Sequence, residues 1–434
     1  MRVVVGVDVG SGSARAIAVD PDGRVLAART GAYPGAEEWP EGRADPRGWL
    51  TGVADAVNGL LDTLGARPEA ICVGGQSPTT VPVGGGLAVT VRHPAGSTGG
   101  PDDQHYAQRA VLAAELGEVE GRQLYDWVSA RLGAADAQAR WPGDATLDGY
   151  GPRAETGEVV GHTDGTLGLP AGVPLVAGAQ DAYLAFWAGG LDLPGRALDP
   201  GGRTGGLAVA VKAGDEQTDM YSLRSPAIGV DIIGGPVNGH GLMLEWLSRT
   251  TGRAIPELLR LAEEVPEGAD GLLILPYLEG ERAPRWNREL RAEIVGLSSA
   301  HGSGHLARAV LEATAYGLRH IADSLPPVPI DTLVCAGGPA SSPLWCKIKA
   351  DVLEVPVEVP TETGLAAYGA ALAAGAGAGW WPMPGRAEGG AWPRPAATTI
   401  HPSPSRVYRD GYRRFLALGD AAERRLAATS GKQE

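Results

Sequence analysis

The stretch VVVGVDVGSGSARAIAVDPDGRV, residues 3–25, constrains the fold more than any other part of the chain. Residues 3–7 form a β-branched run, Gly10-Ser11-Gly12-Ser13 is turn chemistry, and residues 14–19 return to strand-forming side chains. Pro21-Asp22-Gly23 makes a second turn, after which residues 25–28 read as a third strand. The chain therefore opens as an antiparallel meander and not as a βαβ unit.

That order excludes two familiar glycine loops. A dinucleotide fingerprint needs a strand, G-x-G-x-x-G and then a helix; here the third glycine is absent and a strand follows. A P-loop needs G-K-[ST], and no lysine precedes Lys212. The same absence removes a strand lysine of the protein-kinase type. Two readings remain open. The turn is either a β-hairpin that binds nothing, or a cradle whose successive N–H groups hold a phosphate. In the second case Asp8, at the strand end, would orient Mg²⁺ through its waters.

The remaining chain alternates helix and strand. Residues 45–64 carry Trp49, Leu50, Val53, Val57, Leu60 and Leu61 at helical spacing, and 70–75 read as a buried strand. Helices are expected near 103–116, 122–132 and 180–188, a loop over 141–170 and a strand at 174–177. The second part begins with strands at 207–211 and 228–233, then a helix near 242–249 and a strand over 271–278. An amphipathic helix at 305–325 follows, with a strand at 332–338, a helix at 342–353, a strand at 357–359 and a small-residue helix at 366–376. Gly189–Gly195 is the best domain junction, giving expected domains of 1–192 and 193–434. Each half opens with a strand–glycine turn–strand element, a weak internal repeat of two α/β domains. In the second half that element is LDPGGRTGGLAVAV, and a third glycine-rich element, CAGGPASSPLW, pairs a strand with a Ser-capped helix.

A formal net charge of −14 lacks the basic footprint that nucleic acid requires. Three scattered cysteines make neither a disulfide framework nor a zinc site. Without a signal-like N-terminus or an apolar run of about 18 residues, the cytoplasm is the expected location and no membrane partner is expected.

In their order, these elements resemble the FGGY carbohydrate kinases of the actin–hexokinase–Hsp70 ATPase superfamily. The similarity spans most of the chain. It implies an α/β fold of two actin-like ATPase (ribonuclease H-like) domains flanking a cleft, the first shortened between residues 132 and 175. VGVDVGSGSARAIAVDPDG is similar to the first phosphate loop, which assigns Asp8, Gly10, Ser11, Gly12, Ser13 and Arg15 to the nucleotide and Asp8, via water, to Mg²⁺. GGRTGGLAV stands where the second phosphate loop belongs, with Gly202, Arg203, Thr204 and Gly205. CAGGPASSPLW resembles the adenosine element, with Gly337, Gly338, Ser341 and Ser342. VGGQSPT matches a sugar-site loop with Gln76 and Ser77, and GAQDAYLAFWAGG resembles the segment that supplies a catalytic aspartate, here Asp181. LLILPYLEGERAPRWN and ARAVLEATAYGLRHI resemble the second signature region.

The family's W-x-D-x-R sugar contact is not visible, and His93, Asp102, Asp103 and Gln104 are candidates to replace it. The resemblance thus implies ATP, Mg²⁺ and a small sugar or polyol, D-xylulose first, with a homodimer as a possible assembly. Asp181 also stands where an aspartate simply caps a helix. Asp20 is expected to shape its turn, Glu281 and Arg282 to form a structural ion pair, and Lys347 and Lys349 to lie on a solvated helix face. Two rival classes are a hydrolase, on a faint nucleophile-elbow likeness in GQSPT, and a non-catalytic actin-fold ATP-binding protein.

Overall fold

The computed structural model describes residues 1–77, 79–83, 85–90, 108, 110–115, 117, 121–135, 138–140, 153–202, 205–214, 221–225, 229–383 and 391–430. The chain forms two compact units: Met1–Asp192 with Arg224–Val230 and Gly364–Pro395, and Leu193–Leu223 with Asp231–Thr363 and Ala396–Glu434. By contacts, Arg224–Val230 and Gly364–Pro395 thus group with the first unit. Sterics explain the second grouping. In the helix Leu365–Gly377 small residues lie against the strand Val4–Val9, where a Cβ on Gly6 would stand 2.1 Å from the Ala371 nitrogen.

The first unit is built on a six-stranded sheet in the order Val159–His162, Pro174–Val176, Ile71–Gly75, Val4–Val9, Ser13–Val19 and Val25–Ala32. Val4–Val9 pairs antiparallel with Ser13–Val19 (Val9 opposite Ala14), and Ser13–Val19 with Val25–Ala32, as the opening meander requires. Val4–Val9, Ile71–Gly75 and Pro174–Val176 run parallel. The period-2 alternation of side chains sends Val3, Val5, Val7 and Val9 into one core with Trp49, Val53, Val57 and Leu60 of the helix Pro46–Leu64. That helix begins where expected, with Asp45 Oδ1 accepting Arg47 N at 2.9 Å and Pro46 in the first turn, and it ends at Gly65 with φ 57°. Gly6 and Asp8 share the opposite parity.

One expectation fails here. The loop assigned to 141–170 contains the strands Arg153–Glu155 and Val159–His162 within its described residues, and the second forms the edge of the sheet. It is half-exposed and carries a register shift between Val159 and Gly161, so its alternation pattern is lost. A small four-stranded sheet (Arg43–Ala44, Ala88–Val89, Thr80–Pro82, Gly121–Gln123) was also not foreseen.

The second unit repeats the topology on a seven-stranded sheet: Tyr221–Ser225, Val230–Pro236, Gly206–Lys212, Arg196–Asp199, Thr332–Cys335, Val357–Pro360 and Ala397–Ile400. Again two antiparallel strands meet across a glycine turn, and the first of them lies parallel to a later strand, Thr332–Cys335. The helix Ser303–Ser324 buries Val310 and Ala313 in this unit's core, as its spacing predicts. All three cysteines are buried free thiols. Among the described residues, no helix is long and apolar enough to cross a membrane.

Candidate active site

In the first unit the chemistry gathers at the carboxyl ends of three parallel strands. Gln76 N donates to Val9 O at 3.0 Å, and Gly75 forms a parallel bridge with Gln180, which precedes the helix Asp181–Ala188. Asp8, the first glycine turn, Gln76 and Asp181 are thereby held in one place by backbone pairing, where ligands bind in open α/β sheets.

The turn is tight, with Gly10 N donating to Ser13 O at 3.1 Å. Tyr33, which no local sequence signal marks, pins it from outside: its Oη donates to Gly10 O at 3.0 Å while its ring stacks on Trp39. Ser11 and Gly12 are exposed at the tip, and a Cβ on Gly12 would meet nothing within 4 Å. Protein packing therefore does not demand a glycine at residue 12.

Asp8 is the electrostatic centre. Burial pushes its carboxyl up to about 7, the neighbouring charge of Asp181 adds to the rise, and Arg15, directly opposite in the strand register, opposes it. Its Oδ1 is out of solvent without a hydrogen-bond partner. An orphaned carboxylate oxygen close to a second carboxylate is a place that favours a cation. Among the described residues no three acidic, His or Cys side chains converge. The donor set is thus sparse, which suits Mg²⁺, an ion that keeps several waters and takes one or two carboxylates. Asp181 is half-buried and is the first helical residue, the N-cap position being Gln180; its Oδ1 accepts Ala182 N at 2.8 Å. Ser77 Oγ donates to Gln123 Oε1 at 3.4 Å. Asp20 Oδ1 accepts Asp22 N and Arg24 N, as its turn role predicts.

In the second unit, Asp199 ends its strand and its Oδ1 accepts Gly201 N at 2.9 Å. Gly201 and Gly202 have φ of 66° and 81° and Gly205 of 74°, so the second turn needs glycine for its backbone. Gly337, at φ 65°, is built against it: a Cβ there would lie 2.8 Å from Pro200 O. Gly338 is open, with nothing within 4 Å of a Cβ. Ser341 is exposed. Ser342 is buried, and its Oγ caps the helix Pro343–Leu353 by accepting Trp345 N at 3.3 Å.

Lys349 corrects the expectation of a solvated face. It is 0% exposed, and its Nζ donates to Asp199 Oδ2 at 2.5 Å. Burial would raise the Asp199 carboxyl, but Lys349 and His240 outweigh it and hold Asp199 well below the usual range. Lys347 is half-exposed and paired with Asp351. Glu281 lies against Arg285 at 3.5 Å, and burial lifts its carboxyl to about 8 against the pull of that guanidinium. His93, Asp102, Asp103, Gln104, Arg203 and Thr204 lie outside the described residues.

Two α/β units that each open with a strand–glycine turn–strand element and continue into parallel strands define the actin-like ATPase (ribonuclease H-like) fold class. Across the whole chain the fold is similar to that of a xylulose kinase from Lactobacillus acidophilus, with a TM-score of 0.79, 19% identity and 100% of both chains covered. Residues 232–378 match the C-terminal domain of the FGGY family of carbohydrate kinases. Over those residues the chain is similar to that family. A gluconokinase of Bacillus subtilis is 29% identical over 252 residues, 52% of this chain and 48% of that protein. A glycerol kinase of Methylorubrum populi is 30% identical over 302 residues, 65% of this chain and 56% of that protein. The chain spans about half the length of the curated relatives it matches.

Proposed function

We propose that the protein is an ATP-dependent kinase that phosphorylates a hydroxyl of a small sugar or polyol. The observation that carries this reading is the meeting of Asp8 and Asp181 beside the Gly10–Gly12 turn, with the Asp8 Oδ1 buried and unpartnered. D-xylulose is the first candidate acceptor. The names of the relatives (a gluconokinase, a glycerol kinase, a xylulose kinase) make gluconate, glycerol, ribulose and pentitols the alternatives.

When bound, ATP supplies the transferable γ-phosphoryl group and Mg²⁺ the countercharge for it. The chain's own residues do the rest. Asp8 would hold the cation, whose charge would draw its carboxyl back to the ionised form. The backbone N–H groups at the tip of the turn, Ser11 and Gly12, face the phosphates, with Arg15 opposite Asp8 in the strand register. Asp181 orients the acceptor hydroxyl and takes its proton as the hydroxyl oxygen bonds to the γ-phosphorus and the bond from that phosphorus to the β,γ-bridging oxygen breaks, releasing ADP. Gln76 and Ser77 contact the acceptor. In the second unit Gly202 and Gly205 present a second phosphate-binding turn, and Gly337, Gly338 and Ser341 leave room for the nucleoside. A cytoplasmic location accords with this chemistry.

The first turn gives a direct test. Gly12→Ala adds a methyl group that the protein itself does not contact, so stability should stay within about 0.5 kcal/mol of wild type. A phosphate approaching the backbone would meet that methyl, so ADP affinity should fall by about tenfold or more. Thermal melting and titration calorimetry read the two effects. Wild-type ADP affinity in Gly12→Ala would remove the phosphate from this turn.

A further inference from the structure

Beneath the second glycine turn lies a charge cluster that the proposed reaction does not use. Asp199, Lys349 and His240 are each 0% exposed. Asp199 Oδ2 accepts Lys349 Nζ at 2.5 Å and lies 3.4 Å from His240 Nε2, while Oδ1 accepts Gly201 N at 2.9 Å. Trp345 supports both bases: its ring stacks on His240 at 5.9 Å between centroids, and Lys349 Nζ stands 4.9 Å from a Trp345 ring centre. Trp345 is itself anchored by donating Nε1–H to Thr314 Oγ1 at 2.8 Å.

The cluster reaches the turn at three points. Asp199 takes the Gly201 amide. His240 opens the helix His240–Thr251, whose next residue, Gly241, donates its N–H to Gly202 O at 3.1 Å. The His240 ring also lies under Gly205, where a Cβ would come within 2.5 Å of it. A buried ion pair is an expensive way to fill a core, since apolar residues of similar volume are often as stable or more so.

We propose that Asp199, Lys349 and His240 are positioning residues that hold Gly201, Gly202 and Gly205 of the second glycine turn in place for an anion. Asp199 fixes the direction of the Gly201 amide. Lys349 cancels the charge of Asp199, so no bare carboxylate lies beneath a bound polyphosphate. In a chain with only four lysines, one is thus placed below the turn rather than on the phosphates. This inference rests on the nucleotide reading above.

The test compares wild type with Lys349→Met and with the apolar double variant Asp199→Leu/Lys349→Leu. The readouts are melting temperature, hydrogen exchange of the Gly201 amide in nucleotide-free protein, ADP affinity by calorimetry, and KM for ATP against KM for the acceptor. Lys349→Met should weaken ADP binding and raise KM for ATP by about tenfold or more, with KM for the acceptor unchanged. The double variant should melt near wild type yet show fast Gly201 exchange and weak ADP binding. A folded double variant with wild-type exchange and ADP affinity overturns the positioning role. If the double variant does not fold, Lys349→Arg decides. The guanidinium retains the countercharge, so its ADP affinity should lie nearer wild type than that of Lys349→Met, and equal losses overturn the proposal. A wild-type chain that binds no ADP ends the nucleotide reading and this inference with it, whereas wild-type binding with an unaffected double variant ends only the inference.

Discussion

Asp181→Ala is expected to lower kcat by about 10²–10⁴-fold, the range that a positioned general base supplies, while ADP affinity stays close to wild type. The separation follows from the geometry. Asp181 stands at the first position of its helix and its Oδ1 accepts the adjacent Ala182 amide, so alanine, the best helix former, keeps the helix start. The bond to Ala182 is worth about 1 kcal/mol, too little to unfold the unit. Removing the Asp181 charge also relieves Asp8, whose raised carboxyl owes part of its shift to that neighbour. The Asp8 carboxylate is therefore more readily ionised in the variant. A steady-state ADP-release assay paired with calorimetry measures both quantities. Wild-type kcat in Asp181→Ala would refute the base, and an equal loss of ADP affinity would make Asp181 a nucleotide ligand instead.

Gly6→Ala should be among the most damaging small substitutions in the first unit. The added Cβ would stand 2.1 Å from Ala371 N, 2.2 Å from Ala367 O and 2.7 Å from Ala370 C. All three are backbone atoms, so no side-chain rotation relieves the clash. The helix Leu365–Gly377 would have to withdraw from the strand Val4–Val9, yet it is also locked against the helix Asp181–Ala188, where a Cβ on Gly369 would lie 2.1 Å from Leu184 O. Overpacking of this kind costs about 3 kcal/mol or more, which lowers Tm by roughly 6–12 °C for a unit of this size. Scanning calorimetry of the two forms measures it. An unchanged Tm would mean that this helix does not seat on the strand as described.

Much of this architecture was legible because local chemistry and tertiary role agree. The strand pattern after Gly10–Ser13 separated a hairpin turn from a helix-facing loop, and Asp45-Pro46 with Gly65 marked both ends of the first long helix. Asp20 is legible as a turn residue from its Asp-Pro-Asp-Gly context, and the amides that bond to it, those of Asp22 and Arg24, lie within four residues. What stayed hidden depends on distance along the chain. Lys349 sits among Ile348 and Ala350 in a helix that also carries the more exposed Lys347, and its partner Asp199 is 150 residues away. Nothing local marks such a pair, although a chain so poor in lysine made each one worth locating. Tyr33 was hidden for the same reason, since its hydroxyl serves a carbonyl 23 residues earlier. The return of residues 364–395 to the first unit rests on glycine and alanine contacts, and small residues of that kind announce no partner.

The central claim is phosphoryl transfer to a small polyol, and acceptor-dependent ADP release from ATP and Mg²⁺ tests it most directly. D-xylulose, ribulose, pentitols, glycerol and gluconate form the panel. At least one acceptor should stimulate ADP release well above the acceptor-free rate, with stoichiometric phosphorylated product and loss of the stimulation in Asp181→Ala. Tight ATP binding with no stimulation by any member of the panel would contradict the claim and leave a nucleotide-binding protein without kinase activity.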